Sequence, residues 1–250
     1  MSDSAVLVKR KDEGGICTLS LNRPDALNAL SLGVFEELEA HAKTIAQQTD
    51  EVGCVILRGE GRSFSSGNDI KSLQAGDKDP HLHYRTDVIN LLEALPQPVI
   101  ASVRGHCYTG ALELALIADL LVASDTAKFR DTHAGWGMVP MWGMTARLPH
   151  RIGVKRAKEL MYTGRVLSGD EAVEFGLANV CVSDDALETA TLEMAQRIVE
   201  QSWHSLREGK ALIDAASRMT YEEGLAWERA NSKGTTPDLE ARLASFGKRS

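Results

Sequence analysis

Long apolar runs, paired cysteines and an excess of basic residues are all missing from this 250-residue chain. A membrane-crossing helix needs about 20 consecutive apolar residues, and no stretch approaches that, so no membrane span is expected. The four cysteines, Cys17, Cys54, Cys107 and Cys181, are scattered without a CxxC pair. That spacing argues against a disulfide framework or a structural zinc site and for reduced thiols. Lys and Arg total 28 against 35 Asp and Glu, a formal charge of −7, so the average field repels nucleic acid and anionic membrane surfaces. A local basic pocket is still permitted. Residues 1–11 lack the basic start, long apolar segment and cleavage site of a secretory leader. A cytoplasmic location is the expectation.

What is present is apolar content of 43%, enough for one large domain or a domain with an appendage. Residues 6–8 and 16–21 read as two strands joined by a glycine turn. Over residues 31–48 the apolar side chains recur on one helical face behind a potential cap at Ser31. Residues 54–57 and 99–103 are compact apolar strands, each emptying into a glycine-bearing loop, and 120–123 supplies another strand. The recurring order of strand, glycine loop and helix predicts an α/β chain with sites at its strand ends. From about residue 186 onward the pattern is helical. The expected division is a core over 1–190 and a helical region over 191–250.

Two glycine loops carry the chemistry. In Gly105-His-Cys-Tyr-Thr-Gly110-Ala-Leu-Glu113, a helix beginning just past Gly110 would aim unpaired amides and its positive end into the loop. Glu113 lies three residues on, on the same side. It either flanks an oxyanion site as a catalytic carboxylate or merely complements the helix dipole. In Ser63-Phe-Ser-Ser66-Gly67-Asn68-Asp69-Ile70-Lys71, Gly67 allows close backbone approach to a ligand, and an ordinary turn capped by Asn68 or Asp69 is the alternative. Together the loops offer two amide donors, the minimum for gripping a carbonyl oxygen that gains charge.

These segments make the chain resemble the enoyl-CoA hydratase/isomerase (crotonase) superfamily. The resemblance also rests on Leu21-Asn-Arg-Pro-Asp-Ala-Leu-Asn-Ala-Leu30, on Asp119 behind the second loop, on Phe175-Gly-Leu-Ala-Asn179, and on the closing stretch from Thr236 to Arg249. It implies a spiral of ββα units followed by a C-terminal helical trimerisation region, assembled as a homotrimer or dimer of trimers. It further implies an acyl-CoA substrate, no separate cofactor and no metal, with the amides of Ser66 and Gly110 as oxyanion donors. Ala26, Leu27, Asn28, Gly67, Asn68, Asp69, Ile70 and Lys71 match positions near bound CoA. Phe246 and Lys248 match the tail that reaches the nucleotide end, where a basic residue suits a phosphate.

One departure stands out. Hydratases of this family use two glutamates, and Glu113 matches the first. His133 occupies the place of the second, in Phe129-Arg-Asp131-Thr-His133-Ala-Gly-Trp136. An imidazole can still give or take a proton near neutrality, and on an extended backbone Asp131 would share its face and orient the ring. Many family isomerases need a carboxylate on this loop, where His133 and Met141 stand, so hydration of a 2-enoyl-CoA is the favoured expectation. Another enolate reaction, isomerisation or carbon–carbon hydrolysis, and noncatalytic acyl-CoA binding are the alternatives. Trp136, Met138, Met141, Trp142 and Met144 offer adaptable bulk for an acyl-pocket wall, or plain core packing.

Overall fold

The computed structural model describes residues 6–245. Its first two strands, β1 (Val8–Glu13) and β2 (Ile16–Leu21), form an antiparallel hairpin that turns at Gly14 and Gly15, both at positive φ. The first strand lies later than the expected 6–8 because β1 is an edge strand. Its polar Lys9-Arg-Lys-Asp-Glu13 run needs no apolar partner on the solvent side. Then follow α1 (Leu32–Gln47), β3 (Cys54–Gly59), α2 (Ile70–Ala75), α3 (Tyr84–Glu93), β4 (Val99–Val103), β5 (His106–Tyr108) and α4 (Gly110–Ala115). The next elements are β6 (Leu120–Ser124), β7 (Lys128–Arg130), α5 (Met144–Ile152), α6 (Val154–Thr163), β8 (Leu167–Ser168), α7 (Gly169–Phe175) and β9 (Val180–Val182). Four helices close the described chain, α8 (Leu187–Val199), α9 (Trp203–Ala216), α10 (Tyr221–Asn231) and α11 (Leu239–Ser245).

Six strands form the main sheet in the order β1-β2-β3-β4-β6-β9, parallel everywhere except the hairpin. A second sheet, β5-β7-β8, runs beside it, and single bridges Leu30 to Asn68 and Ser65 to Cys107 extend its layer. Successive turns of chain thus place one strand in each layer before a helix, which is the ββα spiral expected from the resemblance. The parallel strands are buried on both faces. Val55, Leu57, Val99, Ala101, Val103, Leu121 and Ala123 face the large core, while Cys54, Ile56, Ile100 and Val122 face the opposite way.

That opposite face is covered by α8, through Leu187 and Ala195. The expected boundary at 190/191 falls inside α8, whose Leu187 and Ala195 pack on the sheet's second apolar face. Trp203 also lies against the hairpin turn and the start of β3, where a Cβ on Gly15 would come within 2.6 Å and one on Gly53 within 2.3 Å of its ring. The helices beyond it pack on each other and leave Ile213, Tyr221, Leu225 and Trp227 exposed. Among the described residues no helix is long and apolar enough to cross a membrane.

Candidate active site

An open cleft of about 1400 Å³ runs between the loop after β3, the start of α4, the loop after β7 and the end of α6. Helix α4 begins at Gly110, one residue earlier than expected, and is buried along its whole length, so Glu113 is only 1% exposed. A carboxylate that deep needs partners. The amides of Trp142 and Met144 both donate to its Oε1, at 2.9 and 3.0 Å. Gly143 between them has φ of +108°, a conformation glycine adopts without Cβ strain, and this brings alternate amides onto one oxygen. Oε2 is left 3.8 Å from His133 Nε2. Burial pushes the Glu113 carboxyl above its ordinary value, against the pull of the Met144 amide, His133 and the Trp142 amide.

His133 is 8% and Asp131 2% exposed. Asp131 Oδ1 accepts from the His133 amide at 3.1 Å and pairs with the ring Nδ1 at 2.6 Å. A carboxylate only accepts, so the Nδ1 proton faces Asp131 and Nε2 faces Glu113. The pairing is the expected one, but its backbone differs. His133 is helical (φ −52°, ψ −51°) and opens the short turn Ala134–Trp136, so Asp131 reaches it by folding back on the following amide.

The expected donor pair needs a correction. The Ser66 amide donates to the Leu27 carbonyl at 2.9 Å and cannot serve a ligand. Gly67 donates to Ser65 Oγ at 3.1 Å, and Asp69 to the Leu30 carbonyl at 3.1 Å. Among the described residues the amides of Asn68 and Gly110 have no partner. Both residues line the cleft. Gly67 (φ +96°) brings their turns together, since a Cβ there would lie 2.6 Å from the Tyr108 carbonyl oxygen and 3.6 Å from the Gly110 nitrogen. The parallel bridge to Leu30 uses the groups on either side of Asn68, which turns the Asn68 amide the other way.

The remaining expected site residues divide. Ala26, Leu27, Asp69, Ile70, Lys71 and Trp136 line the cleft. Asn28 does not, and its assignment to the CoA site is corrected. Its 1% exposed side chain accepts from the Arg23 amide and donates to the carbonyls of Glu60 and Ser63, which spends both its N–H donors on tying two loops. Gly67 acts through its conformation. Asp69 pairs with Arg23 at 2.7 Å and accepts from the Lys71 and Ser72 amides at the start of α2. Burial works to raise its carboxyl, but Arg23 and those amides outweigh it and hold the group below its ordinary value. Phe246 and Lys248 lie outside the described residues.

The apolar loop also splits. Met144 is fully buried, whereas Trp136, Met138 and Met141 are exposed at the cleft mouth. Trp142 packs against Gly110 so closely that a Cβ there would come within 2.2 Å of its ring, and it meets Phe35 edge to face. Arg85, given no role by the sequence reading, is 4% exposed and pairs with Asp79 at 2.9 Å. Its guanidinium donates to the Asn68 side-chain oxygen and lies over Phe35 and Trp142. An arginine inside the apolar stripe of Tyr84, Val88, Ile89 and Leu92 was the available signal.

The fold, the two unpaired amides and the buried carboxylate agree with a match of residues 11–246 to the enoyl-CoA hydratase/isomerase family model. The chain belongs to this family. An Arabidopsis thaliana relative described as a probable peroxisomal enoyl-CoA hydratase 1 is 34% identical, over 98% of this chain and 94% of its own. The crystal structure of an enoyl-CoA hydratase from Bacillus anthracis superposes with a TM-score of 0.90 at 33% identity, covering 97% of this chain and 96% of that one. One from Mycobacterium smegmatis gives 0.88 at 29% identity, over 97% and 96%. Within the family's scaffold, this member places an Asp131–His133 pair opposite Glu113.

Proposed function

We propose that the protein hydrates a 2-enoyl-CoA to the 3-hydroxyacyl-CoA, with the enolate oxygen held by the amides of Asn68 and Gly110. The carrying observation is the buried pair of Glu113 Oε2 and His133 Nε2, 3.8 Å apart on the wall of the cleft. Two proton-transfer groups at that spacing can address adjacent carbons of one substrate. Hydration needs one proton taken from water and one given to carbon, and the pair offers one group for each.

Glu113 acts as the base through Oε2 and His133 as the acid through Nε2. Water oxygen bonds to the β-carbon as Glu113 Oε2 takes one of its protons. The carbon–carbon π pair shifts toward the thioester, and the resulting oxyanion lies against the two amides. His133 Nε2 gives its proton to the α-carbon and the enolate collapses to the thioester. Passing the proton from Oε2 back to Nε2 restores the site, and the net change is one added water. Asp131 holds the ring so that Nε2, rather than Nδ1, serves the substrate.

The test is turnover of short and medium 2-enoyl-CoAs, read as loss of conjugated-thioester absorbance and a product heavier by one water. No consumption across the series sinks the reading. The Asp131–His133 pair also suits base chemistry on a β-diketone, with carbon–carbon hydrolysis as the second reading. Product mass separates these from isomerisation, which leaves mass unchanged, and binding without turnover would leave only a carrier role.

Ala26, Leu27, Ile70 and Lys71 flank the CoA side in this proposal, Trp136 the acyl side, and Phe246 and Lys248 complete the nucleotide end by the family resemblance. Side chains and backbone amides alone carry the steps, with no separate cofactor. The exposed apolar residues on α9 and α10 support a homotrimer or a dimer of trimers, which light scattering would measure. The acidic balance speaks against nucleic acid, and four free cysteines support the cytoplasm.

A further inference from the structure

Thr109 immediately precedes the Gly110 amide, with φ of +52° and ψ of −110°. A β-branched residue rarely adopts positive φ, and such strain persists only where the surroundings over-determine it. Here every polar atom of Thr109 is engaged. Its amide donates to the Arg130 carbonyl at 2.8 Å, its carbonyl accepts from the Glu113 amide at 3.0 Å, and its hydroxyl accepts from the Thr132 amide at 3.2 Å. The same hydroxyl bonds the Thr132 hydroxyl.

The ψ angle of residue 109 sets the plane of the 109–110 peptide, and with it the direction of the Gly110 N–H. Relaxing Thr109 into an ordinary conformation would rotate that amide. Thr132 lies between Asp131 and His133, so the bond between the two hydroxyls joins the oxyanion turn to the segment that carries the imidazole. We infer that the Thr109–Thr132 hydroxyl pair is a positioning clamp that aims the Gly110 amide and registers it against His133. Neither threonine is a proton carrier, and each acts through its neighbour. The inference rests on the proposed role of the Gly110 amide.

The test compares Thr109→Val, Thr109→Ser and Thr132→Val in the full chain. Misaiming one donor affects the transition state more than the ground state. Thr109→Val and Thr132→Val should each lower kcat on the order of tenfold and leave KM within about twofold, and Thr109→Ser should restore kcat to within about threefold of wild type. A 3-oxoacyl-CoA supplies a signal independent of turnover, since its enolate absorbs in the near ultraviolet. The bound enolate fraction at fixed pH should fall in both valine variants. The double variant should be no slower than Thr109→Val alone, because that substitution already removes the hydroxyl that Thr132 bonds. If Thr109→Val does not fold, Thr132→Val removes the hydroxyl–hydroxyl bond without touching the strained residue. Wild-type kcat and enolate signal in the folded valine variants would overturn the clamp. An inactive wild type would sink the proposed hydration, while the enolate signal would still report on the clamp.

Discussion

The two walls of the cleft are built on opposite principles. On one, Glu113, Asp131 and His133 are 1%, 2% and 8% exposed, and each is held by named hydrogen bonds or a charged neighbour. On the other, Trp136, Met138 and Met141 are 66%, 42% and 49% exposed and touch the cleft through adaptable apolar surface. Rigid, desolvated groups suit proton transfer, where misplacement is costly. Soft exposed bulk suits a variable chain that brings its own apolar area. In the proposed function the chemistry is preorganised and the acyl preference is left to the mouth.

The largest effect should come from Glu113→Gln. It removes the proposed base yet keeps an acceptor for the Trp142 and Met144 amides, so kcat should fall by about 10³-fold or more with the fold intact. The same variant tests the electrostatics. A raised carboxyl favours its neutral form in the folded state, a contribution fully present below the ordinary value of 4.5 and lost as pH rises through the higher folded value. Thermal melts should therefore show Glu113→Gln more stable than wild type near neutrality, with the gap closing toward acid. A gap that widens toward acid would reverse the assignment.

The next effect is on the imidazole. His133→Ala should cost on the order of 10²-fold in kcat, and full activity would remove the histidine from the scheme. Asp131→Asn, which frees the ring to take the wrong tautomer, should cost roughly 10-fold to 10²-fold. A neutral result would make Asp131 only a turn-former. In wild type the acidic limb of kcat/KM should fall above pH 4.5, because the base is lost as pH drops through its raised value. The smallest effect belongs to the soft wall. Trp136→Ala should raise KM for longer acyl chains by less than about tenfold and leave kcat nearly unchanged. A large loss of kcat there would erase the contrast between the walls.

Much of this is legible in the sequence. Strand 99–103, the Gly110 turn and Glu113 follow from local patterns of apolar runs and glycines, and the facing of His133 and Asp131 follows from their proximity along the chain. The donor on the first loop was misassigned to Ser66, because its engagement depends on Leu27, far away in sequence. Asn28 was misassigned for the same reason, its partners Glu60 and Ser63 lying on another loop. That α8 spans the boundary near 190 is not readable from its amphipathic stripe, which does not say which surface it covers.

The sequence by itself determined the kinds of groups available and their local order, two glycine turns, a carboxylate three residues behind one of them, and a histidine with an aspartate two residues before it. Those are short-range facts, governed by backbone sterics and periodicity. Only the tertiary structure decided which amides remain unpaired, that Glu113 Oε2 stands 3.8 Å from His133 Nε2, and that Thr109 is held at positive φ by Thr132 and Arg130. Each depends on hydrogen bonds between segments brought together by packing, and a free amide is known only when every competing acceptor has been placed.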